Sequence, residues 1–480
     1  MTAKLPISGP VATPPADRGP LDRFEQFARR ANAWTERWMP DAFVFALAAT
    51  LITLAAALAV DPVMRRSPLS LVDAWGSGFW TLIPFTLQMS MMLIGGYVLA
   101  SSPPIFRVIG RIASWPRTAK GAVCVVALVA MVTSLLNWGF SLIGTAILAR
   151  EVGRRMPRAD YRALASCSVL GICTVWAQGI SSSPALQMAR ASSMPPRLFQ
   201  IAGEIPLTAT IFRWQSAVCV IVEIGVVAGV MWLCAPGDGR GRSAADLGID
   251  LSAGVTATPV KAMRPGEYLE HSPVLLLPIV IIGFTYVVHT LVVRASSLSE
   301  ALNSIDFNTI NLFLLMLGAA LHWTPARFLS AFREATPPVW GMLLQFPFYA
   351  GIFGVMTGTQ LSDAIAHLFV RTSSPTWYPA LILSYSTTLG MFVPSGGAKW
   401  MIEAPYVIQS AKALGVSSGW MVVSYNLGEA ITNFFQPFWM VAILALLGLR
   451  ARDIMGYTYL AGIVLFPIAI LLVTLLRPSL

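Results

Sequence analysis

Charged residues are scarce in this sequence. Only 12% of its 480 residues are Asp, Glu, Lys or Arg, whereas 56% are hydrophobic, and the mean hydropathy is +0.67. A soluble domain could not remain solvated with so little charge, so the composition excludes the soluble classes and predicts an all-α polytopic membrane protein. The net charge of +10 does not indicate a nucleic-acid partner, because the basic residues cluster in loops beside apolar runs, as in cytoplasmic loops of membrane proteins.

Residues and motifs typical of metal sites and enzymes are also few. The five cysteines form no CxxC pair and the four histidines have no HExxH spacing, so we expect neither a metal site nor a disulfide. No nucleophile elbow or Walker loop occurs in the sequence. The sequence therefore predicts a protein that is not an enzyme and that needs no cofactor.

Two polar stretches bound the first apolar half. Residues 1–40 are polar, which argues against a cleavable signal, and we expect them to form a cytoplasmic N-terminal arm. Within this arm, aromatic residues among arginines predict an amphipathic helix over 21–40. Residues 236–271 form the second polar stretch, which we interpret as a cytoplasmic linker between two halves.

Charge patterning indicates how the first half crosses the membrane. Residues 102–120 and 150–162 are both rich in arginine, which predicts that both face the cytoplasm together with the N-terminus. A single helix over 121–149 would separate these two loops, whereas a re-entrant hairpin with its tip near Asn137 keeps them on one side. We favour the hairpin, because non-helical backbone is tolerated within a membrane where it lines a cavity.

The second half has the same plan. Residues 380–410 predict a second hairpin, which opens to the outside, and each half has a crossing interrupted by a polar residue and a proline, at Ser183–Pro184 and at Gln436–Pro437. This spacing predicts two inverted-topology repeats, each with a re-entrant hairpin and an interrupted transmembrane helix. The predicted units are a first transmembrane repeat over 41–235, a linking helix and outer loop over 272–306, and a second transmembrane repeat over 307–480.

The stretch from Thr387 to Tyr406 combines backbone breakers with charge inside an apolar region. Pro394, Gly396 and Gly397 disfavour a continuous helix, and the free N–H groups at a helix start can bind a carboxylate. Breaks at paired positions in two halves would meet near the midplane of the membrane and form a transport site. The predicted substrate-binding residues are Asn137, Gly139, Ser141, Gly179, Ser181, Ser182, Ser183, Ser395, Gly396, Gly397, Lys399, Asn433 and Gln436.

Several of these residues have a second interpretation. Ser181–Ser183 could instead serve helix packing, for which membrane helices use small residues. Lys399 and Glu403 are four residues apart, so they could form an ion pair that only fixes the hairpin, or Lys399 could bind an anionic substrate. The predicted coupling-ion residues are Asn426, Glu429 and Thr432. For Glu429 the role is either proton carrier or cation ligand.

Three segments of the sequence resemble a known family. They are NWGFSLIG at 137–144, FVPSGGAKW at 392–400 and QPFWMVAILALLGLRARDIMGY at 436–457. They resemble the bacterial short-chain fatty acid transporter family, which is similar in turn to the ion-transporter superfamily of anion carriers with paired re-entrant hairpins. The resemblance implies that Asn137, Gly139, Ser395, Gly396 and Gly397 line the site.

The resemblance also has a departure and a functional implication. In the family VPSGG is usually followed by a glycine and a glutamine, with a second glutamine further on, whereas this chain has Ala398, Lys399 and Glu403. The implied function is uptake of short-chain monocarboxylates such as butyrate or acetoacetate across the bacterial inner membrane.

From this we expect a multi-pass secondary carrier, driven by a proton or sodium gradient and embedded in membrane lipid. Two alternatives stay open: a carrier of another small organic anion such as a dicarboxylate, and a membrane enzyme that transfers acyl or lipid groups with Ser395 or His271. A homodimer is one option for the assembly, since related carriers with this architecture are often dimers.

Overall fold

The structure, a computed structural model, describes residues 42–251 and 264–478. Every regular element in these two ranges is a helix, as the composition predicts. The expected amphipathic helix over 21–40 and residues 252–263 of the linker lie outside the described residues. The described chain nevertheless includes both predicted hairpins and both predicted helix breaks.

Six helical stretches of the described chain are long and apolar enough to cross a membrane. They are Phe43–Val60, Pro68–Ala100, Trp214–Cys234, Leu276–Val293, Pro325–Gly358 and Ala451–Leu475. This length and composition fit a multi-pass membrane protein. The stretches predicted to hold hairpins or interrupted crossings are absent from the set, because their helices either are shorter or, as in Trp138–Arg155 and Gly396–Ala413, carry more than two charged residues.

The helix bounds follow local sequence signals. In the first half, the helices are Ala42–Val60, Pro62–Arg66, Pro68–Gly78, Ile83–Ala100, Pro103–Ile112, Ala119–Ser134, Trp138–Arg155, Tyr161–Cys167, Leu170–Cys173, the 3-10 turn Val175–Gln178, Ser183–Met188, Pro196–Ala202 and Trp214–Cys234. Proline stands in the first turn of several of them, where its missing N–H costs no helical hydrogen bond.

The second half begins after the linker. Its longer helices are Leu276–Val288, continued as a π-helical turn over His289–Val293, Phe307–His322, Pro325–Ala335, Trp340–Gly358, Leu361–Thr372, Tyr378–Gly390, Gly396–Ala413, Ser418–Thr432, Phe438–Leu447 and Ala451–Leu475. Short turns lie at Glu267–Glu270 and Leu298–Asn303.

Two pairs of consecutive helices fold back on themselves. The first hairpin consists of Ala119–Ser134 and Trp138–Arg155, and Ser141 Oγ donates across it to the carbonyl of Ala130 at 2.7 Å. The second hairpin consists of Tyr378–Gly390 and Gly396–Ala413, and the Tyr378 hydroxyl donates across it to the carbonyl of Val407 at 2.9 Å. Both turns lie where the sequence predicts hairpin tips.

Two helices are interrupted. The first broken helix runs from Tyr161 to Met188, and residues 179–182 between Gln178 and Ser183 are not helical. The second broken helix consists of Ser418–Thr432 and Phe438–Leu447, with a non-helical stretch at 433–437. The second interruption contains the predicted break at Gln436–Pro437, whereas the first ends directly before Ser183–Pro184, which begin the next helix.

The two arginine-rich loops of the first half lie together. Arg155 Nη1 donates to the carbonyl of Gly110 at 2.7 Å, and Arg158 Nη2 donates to the carbonyl of Arg117 at 2.9 Å. Both loops are therefore at the same end of the helices, which a hairpin between them requires. The side of the membrane that they face stays a prediction.

The described part of the linker packs on this same end. The backbone N–H of Ala119 donates to Asp238 Oδ1 at 2.7 Å, and that of Tyr161 donates to the carbonyl of Arg242 at 2.8 Å. The linker thus joins the base of the first hairpin to the start of the first broken helix.

Most buried apolar side chains form one cluster that extends over both halves, and Val280, Met316 and Ala319 form a small separate one. The hairpins and broken helices contribute most of its interior, whereas Phe43–Val60 and Leu276–Val293 are each only 17% buried. These two helices lie at the periphery, and their exposed side chains are mostly apolar, as expected for a surface in contact with lipid. The interrupted elements are therefore enclosed by continuous helices.

Candidate functional site

The tip of the second hairpin is a helix start preceded by an irregular turn. Residues 391–395 separate the two arms, and Ser395 is the N-cap of Gly396–Ala413, with its hydroxyl accepting a hydrogen bond from Ala398 N at 3.4 Å. Proline and paired glycines explain the interruption locally. Free N–H groups at the start of this 18-residue helix form an electropositive end inside the protein.

The tip of the first hairpin has the same construction. Asn137 is the N-cap of Trp138–Arg155, and its Oδ1 accepts from Phe140 N at 2.6 Å. The tip is tied to the first broken helix, because Trp138 N donates to Ser181 Oγ at 3.2 Å and Ile180 N donates to the carbonyl of Leu135 at 2.8 Å. Hairpin tip and helix break therefore meet in the first half.

The two broken helices also contact each other. Asn426 Nδ2 donates to the carbonyl of Ala177 and to Ser182 Oγ, both at 2.7 Å. Asn433 Nδ2 donates to the carbonyl of Ile172 at 2.9 Å. Amide side chains of the second half thereby satisfy carbonyl groups that the interrupted first helix leaves unpaired.

Gln187 and Gln436 form further hydrogen bonds, at the second hairpin tip and at the second helix break. Gln187 Nε2 donates to the carbonyl of Gly397 at 3.1 Å, which connects the first broken helix to the second hairpin tip. Gln436 Nε2 donates to Asn433 Oδ1 at 2.8 Å within the second break. Gln187 thus links the first half to the second hairpin tip, and the Gln436 bond lies within the second break.

Lys399 forms its ion pair with Glu429 and not with Glu403. Lys399 Nζ lies 2.6 Å from Glu429 Oε2, and both side chains are buried. The same ammonium group donates to the carbonyl of Ser386 at 2.7 Å and to Ser386 Oγ at 3.3 Å. The local pairing suggested by the four-residue spacing is therefore corrected: the partner of Lys399 comes from another helix.

Glu403 is buried without an ion contact to Lys399. Within the described chain its Oε2 atom has no hydrogen-bond partner, and the aromatic ring of Tyr425 lies near both Lys399 and Glu403. The helix that leaves the glycine turn therefore carries two charged residues with different surroundings. Lys399 is fully engaged by Glu429 and Ser386, whereas Glu403 is not.

A small cavity lies beside this ion pair. Its lining residues are Met89, Trp138, Ile172, Trp176, Ser183, Met342, Phe346, Ser395, Gly396, Gly397, Glu429 and Trp439. The cavity measures about 20 Å³, room for roughly one water molecule. Its lining combines polar groups, from the second hairpin tip with Ser183 and Glu429, with aromatic and aliphatic side chains.

Glycines at the second tip let other side chains approach. A Cβ atom on Gly397 would lie 2.5 Å from Phe85 Cζ and 2.9 Å from Ser183 Oγ, and one on Gly396 would lie 2.8 Å from Glu429 Cγ. Any larger residue would therefore have to displace the cavity wall.

Of the predicted substrate-binding residues, four line the cavity and the others do not. The four are Ser183, Ser395, Gly396 and Gly397, joined by Glu429 from the coupling-ion set. The remaining predicted residues are Asn137, Gly139, Ser141, Gly179, Ser181, Ser182, Lys399, Asn433, Gln436, Asn426 and Thr432. Many of these hold hairpin tips and breaks to one another, and Thr432 Oγ1, for example, donates to the carbonyl of Thr387.

Sequence reasoning missed the apolar wall of the cavity. Trp138, Trp176 and Trp439 each lie close to a hairpin tip or helix break, and the rings of Trp138 and Trp439 are 5.1 Å apart. The sequence signal that could have indicated this wall is a tryptophan within a few residues of each tip or break. Methionine and phenylalanine from the intact helices had no such signal, because their contribution depends on tertiary packing.

Comparison with known families decides what kind of protein this is. A sequence profile of the family described as "Short chain fatty acid transporter" matches residues 23–476. The chain belongs to the short-chain fatty acid transporter family. Membership in this family makes the protein a transporter rather than an enzyme.

Individual relatives agree with the family assignment. A protein of Escherichia coli (strain K12) is 35% identical over 437 residues, covering 91% of this chain and 96% of the relative. A protein of Haemophilus influenzae is 30% identical over 454 residues, covering 92% and 98%. Both carry the name "Putative short-chain fatty acid transporter".

A solved structure shares the fold of this family member. The crystal structure of the Alcanivorax borkumensis YdaH transporter, described as having an unusual topology, matches with a TM-score of 0.53. The match covers 91% of this chain and 98% of that one, at 13% sequence identity. This likeness concerns the fold alone.

Proposed function

We propose that this protein takes up short-chain monocarboxylates, such as butyrate or acetoacetate, across the bacterial inner membrane. Transport is secondary and coupled to a proton or sodium gradient. The observation that carries the proposal is the mixed lining of the cavity, which combines the polar second hairpin tip with side chains of tryptophan, methionine and phenylalanine. A short-chain carboxylate likewise combines a charged group with an apolar tail.

The polar part of the lining suits a carboxylate. Ser395 and Ser183 offer hydroxyl donors, and Gly396 and Gly397 expose backbone at the start of a long helix, where an anion is favoured by the N–H groups and the helix dipole. Bulkier residues than glycine would keep the substrate away from this backbone. We infer that the carboxylate binds here.

The charges nearby favour one carboxylate over two. None of the lining residues is basic, and the ammonium group of Lys399 lies behind Glu429. A dicarboxylate would bring a second anionic group against the tryptophan wall, where no charge compensates it. The proposal is therefore a monocarboxylate carrier with a short apolar tail in contact with Trp138, Trp176 and Trp439.

The proposed topology has two inverted repeats with re-entrant hairpins and a cytoplasmic N-terminus. Its support is the paired construction of the halves, each with a capped hairpin tip and a broken helix, and the common end of the arginine-rich loops. Contact with membrane lipid follows from the peripheral apolar helices. A homodimer stays a prediction.

Transport requires the cavity to open. In this conformation it has room for roughly one water molecule, so a four-carbon carboxylate fits only after the hairpin tips and broken helices move apart. The hydrogen bonds between halves, among them those of Asn426, are the contacts that such a movement would exchange. Alternating access between two such arrangements accounts for uptake.

Uptake by purified protein in proteoliposomes tests the function. Labelled butyrate and acetoacetate are offered under imposed proton or sodium gradients, with acetate, hexanoate and succinate as competitors. We expect saturable uptake that short monocarboxylates inhibit and succinate does not. Strong inhibition by succinate, with little by butyrate, would favour a dicarboxylate carrier instead.

A further inference from the structure

Three ionisable groups form a buried cluster beside the cavity. Lys399 Nζ is in ion contact with Glu429 Oε2 at 2.6 Å and donates to the Ser386 carbonyl at 2.7 Å and to Ser386 Oγ at 3.3 Å. Glu403 lies near the same lysine without ion contact. Two buried carboxyl groups therefore lie near one cation, and only Glu429 is in ion contact with it.

The two carboxyl groups differ in access. Glu429 lines the cavity, whereas Lys399 and Glu403 do not. The Glu429 carboxylate thus stands between the cavity and the ammonium group. Its Oε1 atom has no hydrogen-bond partner within the described chain, so it can accept a proton without losing a hydrogen bond. A Cβ atom on Gly390 would lie 2.9 Å from Glu429 Oε2, so two glycines, Gly390 and Gly396, make the space for this side chain.

The surroundings supply no competing charge. Three helices of the cavity wall, Ile83–Ala100, Trp340–Gly358 and Phe438–Leu447, contain no acidic or basic residue. The fourth, Trp138–Arg155, has charged residues only in its last six positions, at the opposite end from Trp138. The first-helix segments that pack on Ser418–Thr432 contain no acidic or basic residue. Phenol groups of Tyr385, Tyr406 and Tyr425 face the cluster. The other charged residues of helices packed on Ser418–Thr432 are Lys412, which donates to the carbonyl of Ile201, and Arg452 and Asp453, in the first turn of Ala451–Leu475.

From this geometry we infer that Glu429 is the proton-binding site of the carrier and that Lys399 is the cation exchanged between Glu429 and the substrate. This inference rests on the proposed function and identifies the proton as the coupling ion of the carrier. A proton adds to the Glu429 carboxylate and makes it a neutral acid, which ends the ion pair. The neutral Glu429 side chain then moves aside as the cavity opens, and the ammonium group of Lys399 pairs with the substrate carboxylate.

The charges balance in both states. Before binding, the pair is Lys399 cation with Glu429 anion; after binding, it is Lys399 cation with substrate anion beside a neutral Glu429. Neither state leaves Lys399, Glu429 or the substrate with an unpaired buried charge, which would be costly in a membrane protein. One proton therefore enters with each monocarboxylate, and the loaded site carries no more charge than the empty one. A sodium ion at Glu429 would have to displace the ammonium group that already occupies the cation position.

Proteoliposomes separate this inference from the proposed function. Labelled acetoacetate is used because its polar keto group slows passive permeation, and protein-free liposomes give the background. Counterflow, the exchange of external label for internal unlabelled substrate without a gradient, reports substrate binding and translocation. Accumulation driven by an alkaline interior, in sodium-free buffer, reports proton coupling. A potassium gradient with valinomycin sets the membrane potential independently.

The variant Glu429→Gln imitates the protonated acid permanently. We expect it to retain counterflow and to lose accumulation driven by the pH gradient. The matched control is Glu223→Gln, which alters a carboxylate equally buried but hydrogen-bonded to Gln178 on another helix. That control should keep both activities. In the wild type, accumulation should depend on the pH gradient and be unaffected by the imposed potential.

Each other outcome contradicts a defined claim. Counterflow in the wild type together with accumulation that follows sodium alone, or that persists in Glu429→Gln, overturns the inference and leaves the proposed function intact. Loss of counterflow in Glu429→Gln, with the variant inserted and thermally stable, also overturns it. If Glu429→Gln is unstable, the double variant Lys399→Gln with Glu429→Gln removes both charges. Accumulation driven by the pH gradient in this double variant would refute the exchange of Lys399 between Glu429 and the substrate. Absence of any counterflow in the wild type removes the proposed function and the inference together.

Discussion

Asn426 and Ser182 connect the two halves of the protein through one hydrogen bond of 2.7 Å, from the amide Nδ2 to the hydroxyl oxygen. Both residues are buried, and the same amide also reaches the carbonyl of Ala177. A helix break in one half is therefore stabilised by a side chain from the other half. The contact explains why an interrupted helix can persist in an apolar interior.

Asn426→Leu keeps the approximate size of the side chain and removes both donors. The stranded carbonyl of Ala177 should cost about 1–3 kcal/mol, so the midpoint of thermal unfolding in detergent should fall. The control Asn308→Leu alters an exposed asparagine that accepts a hydrogen bond from Gln88. An equal fall in the midpoint of thermal unfolding for both variants would mean that the contact between the halves stabilises the protein no more than an exposed hydrogen bond does.

The ion pair of Lys399 predicts which double variant rescues which single one. Lys399→Gln strands Glu429 in the interior and should destabilise the protein by about 3–5 kcal/mol. Adding Glu429→Gln should restore expression and thermal stability, whereas adding Glu403→Gln should not. Quantifying folded protein after membrane extraction measures this. Rescue of Lys399→Gln by Glu403→Gln, without the Glu429 change, would indicate that Lys399 pairs with Glu403 and would contradict its ion pair with Glu429.

These two cases show what could be predicted from the sequence. The breaks at Pro394 and Gln436–Pro437 were predictable, because proline and glycine remove or weaken backbone hydrogen bonds wherever the chain folds. The partner of Lys399 was not, because a rule about neighbours on one helix cannot reveal that Glu429 on a different helix lies nearer.

The candidate site likewise has a part that could be predicted from the sequence and a part that could not. Polar residues at the second tip were predictable as cavity residues, because a helix start exposes N–H groups whatever its surroundings. Residues such as Asn137, Ser181 and Ser182 have the same chemistry, yet in the described conformation their polar groups are engaged in contacts between tips and breaks. Composition does not distinguish a polar group that faces a cavity from one that satisfies a neighbouring carbonyl.

The orientation of the hairpins can be tested by cysteine labelling in intact and inverted membranes. In a background without the five native cysteines, Trp115→Cys and Arg154→Cys should react only from the cytoplasmic side, since both arginine-rich loops face it. Trp377→Cys, at the start of the second hairpin, should react from outside. Trp115 and Trp377 are 64% and 61% exposed, so reactivity will report sidedness. Reaction of the two loop positions from opposite sides would exclude a re-entrant first hairpin.

Closing the cavity from its floor should stop transport. Gly397→Ala places a methyl group against Phe85 and Ser183, and the larger Gly397→Val or Gly396→Val should abolish uptake while the protein still inserts. Gly225→Ala is the matched control, since its added methyl group would meet no atom within 4 Å. Comparing the uptake rate per inserted molecule isolates the effect. Wild-type uptake by the Gly397 variants would mean that this turn is only a connection.

Substrate protection of a single cysteine at the second hairpin tip tests most directly whether the cavity binds the carboxylate. Ser395→Cys, in a background without native cysteines, is exposed to a thiol reagent with and without saturating butyrate, and Ser384→Cys on the other arm serves as control. Ser395 is half-buried and lines the cavity, whereas Ser384 lines a surface depression elsewhere. We expect butyrate to slow modification of the Ser395→Cys variant only, and succinate to have no effect. Unchanged modification at 395 in a variant that still exchanges butyrate would contradict binding of the carboxylate in this cavity.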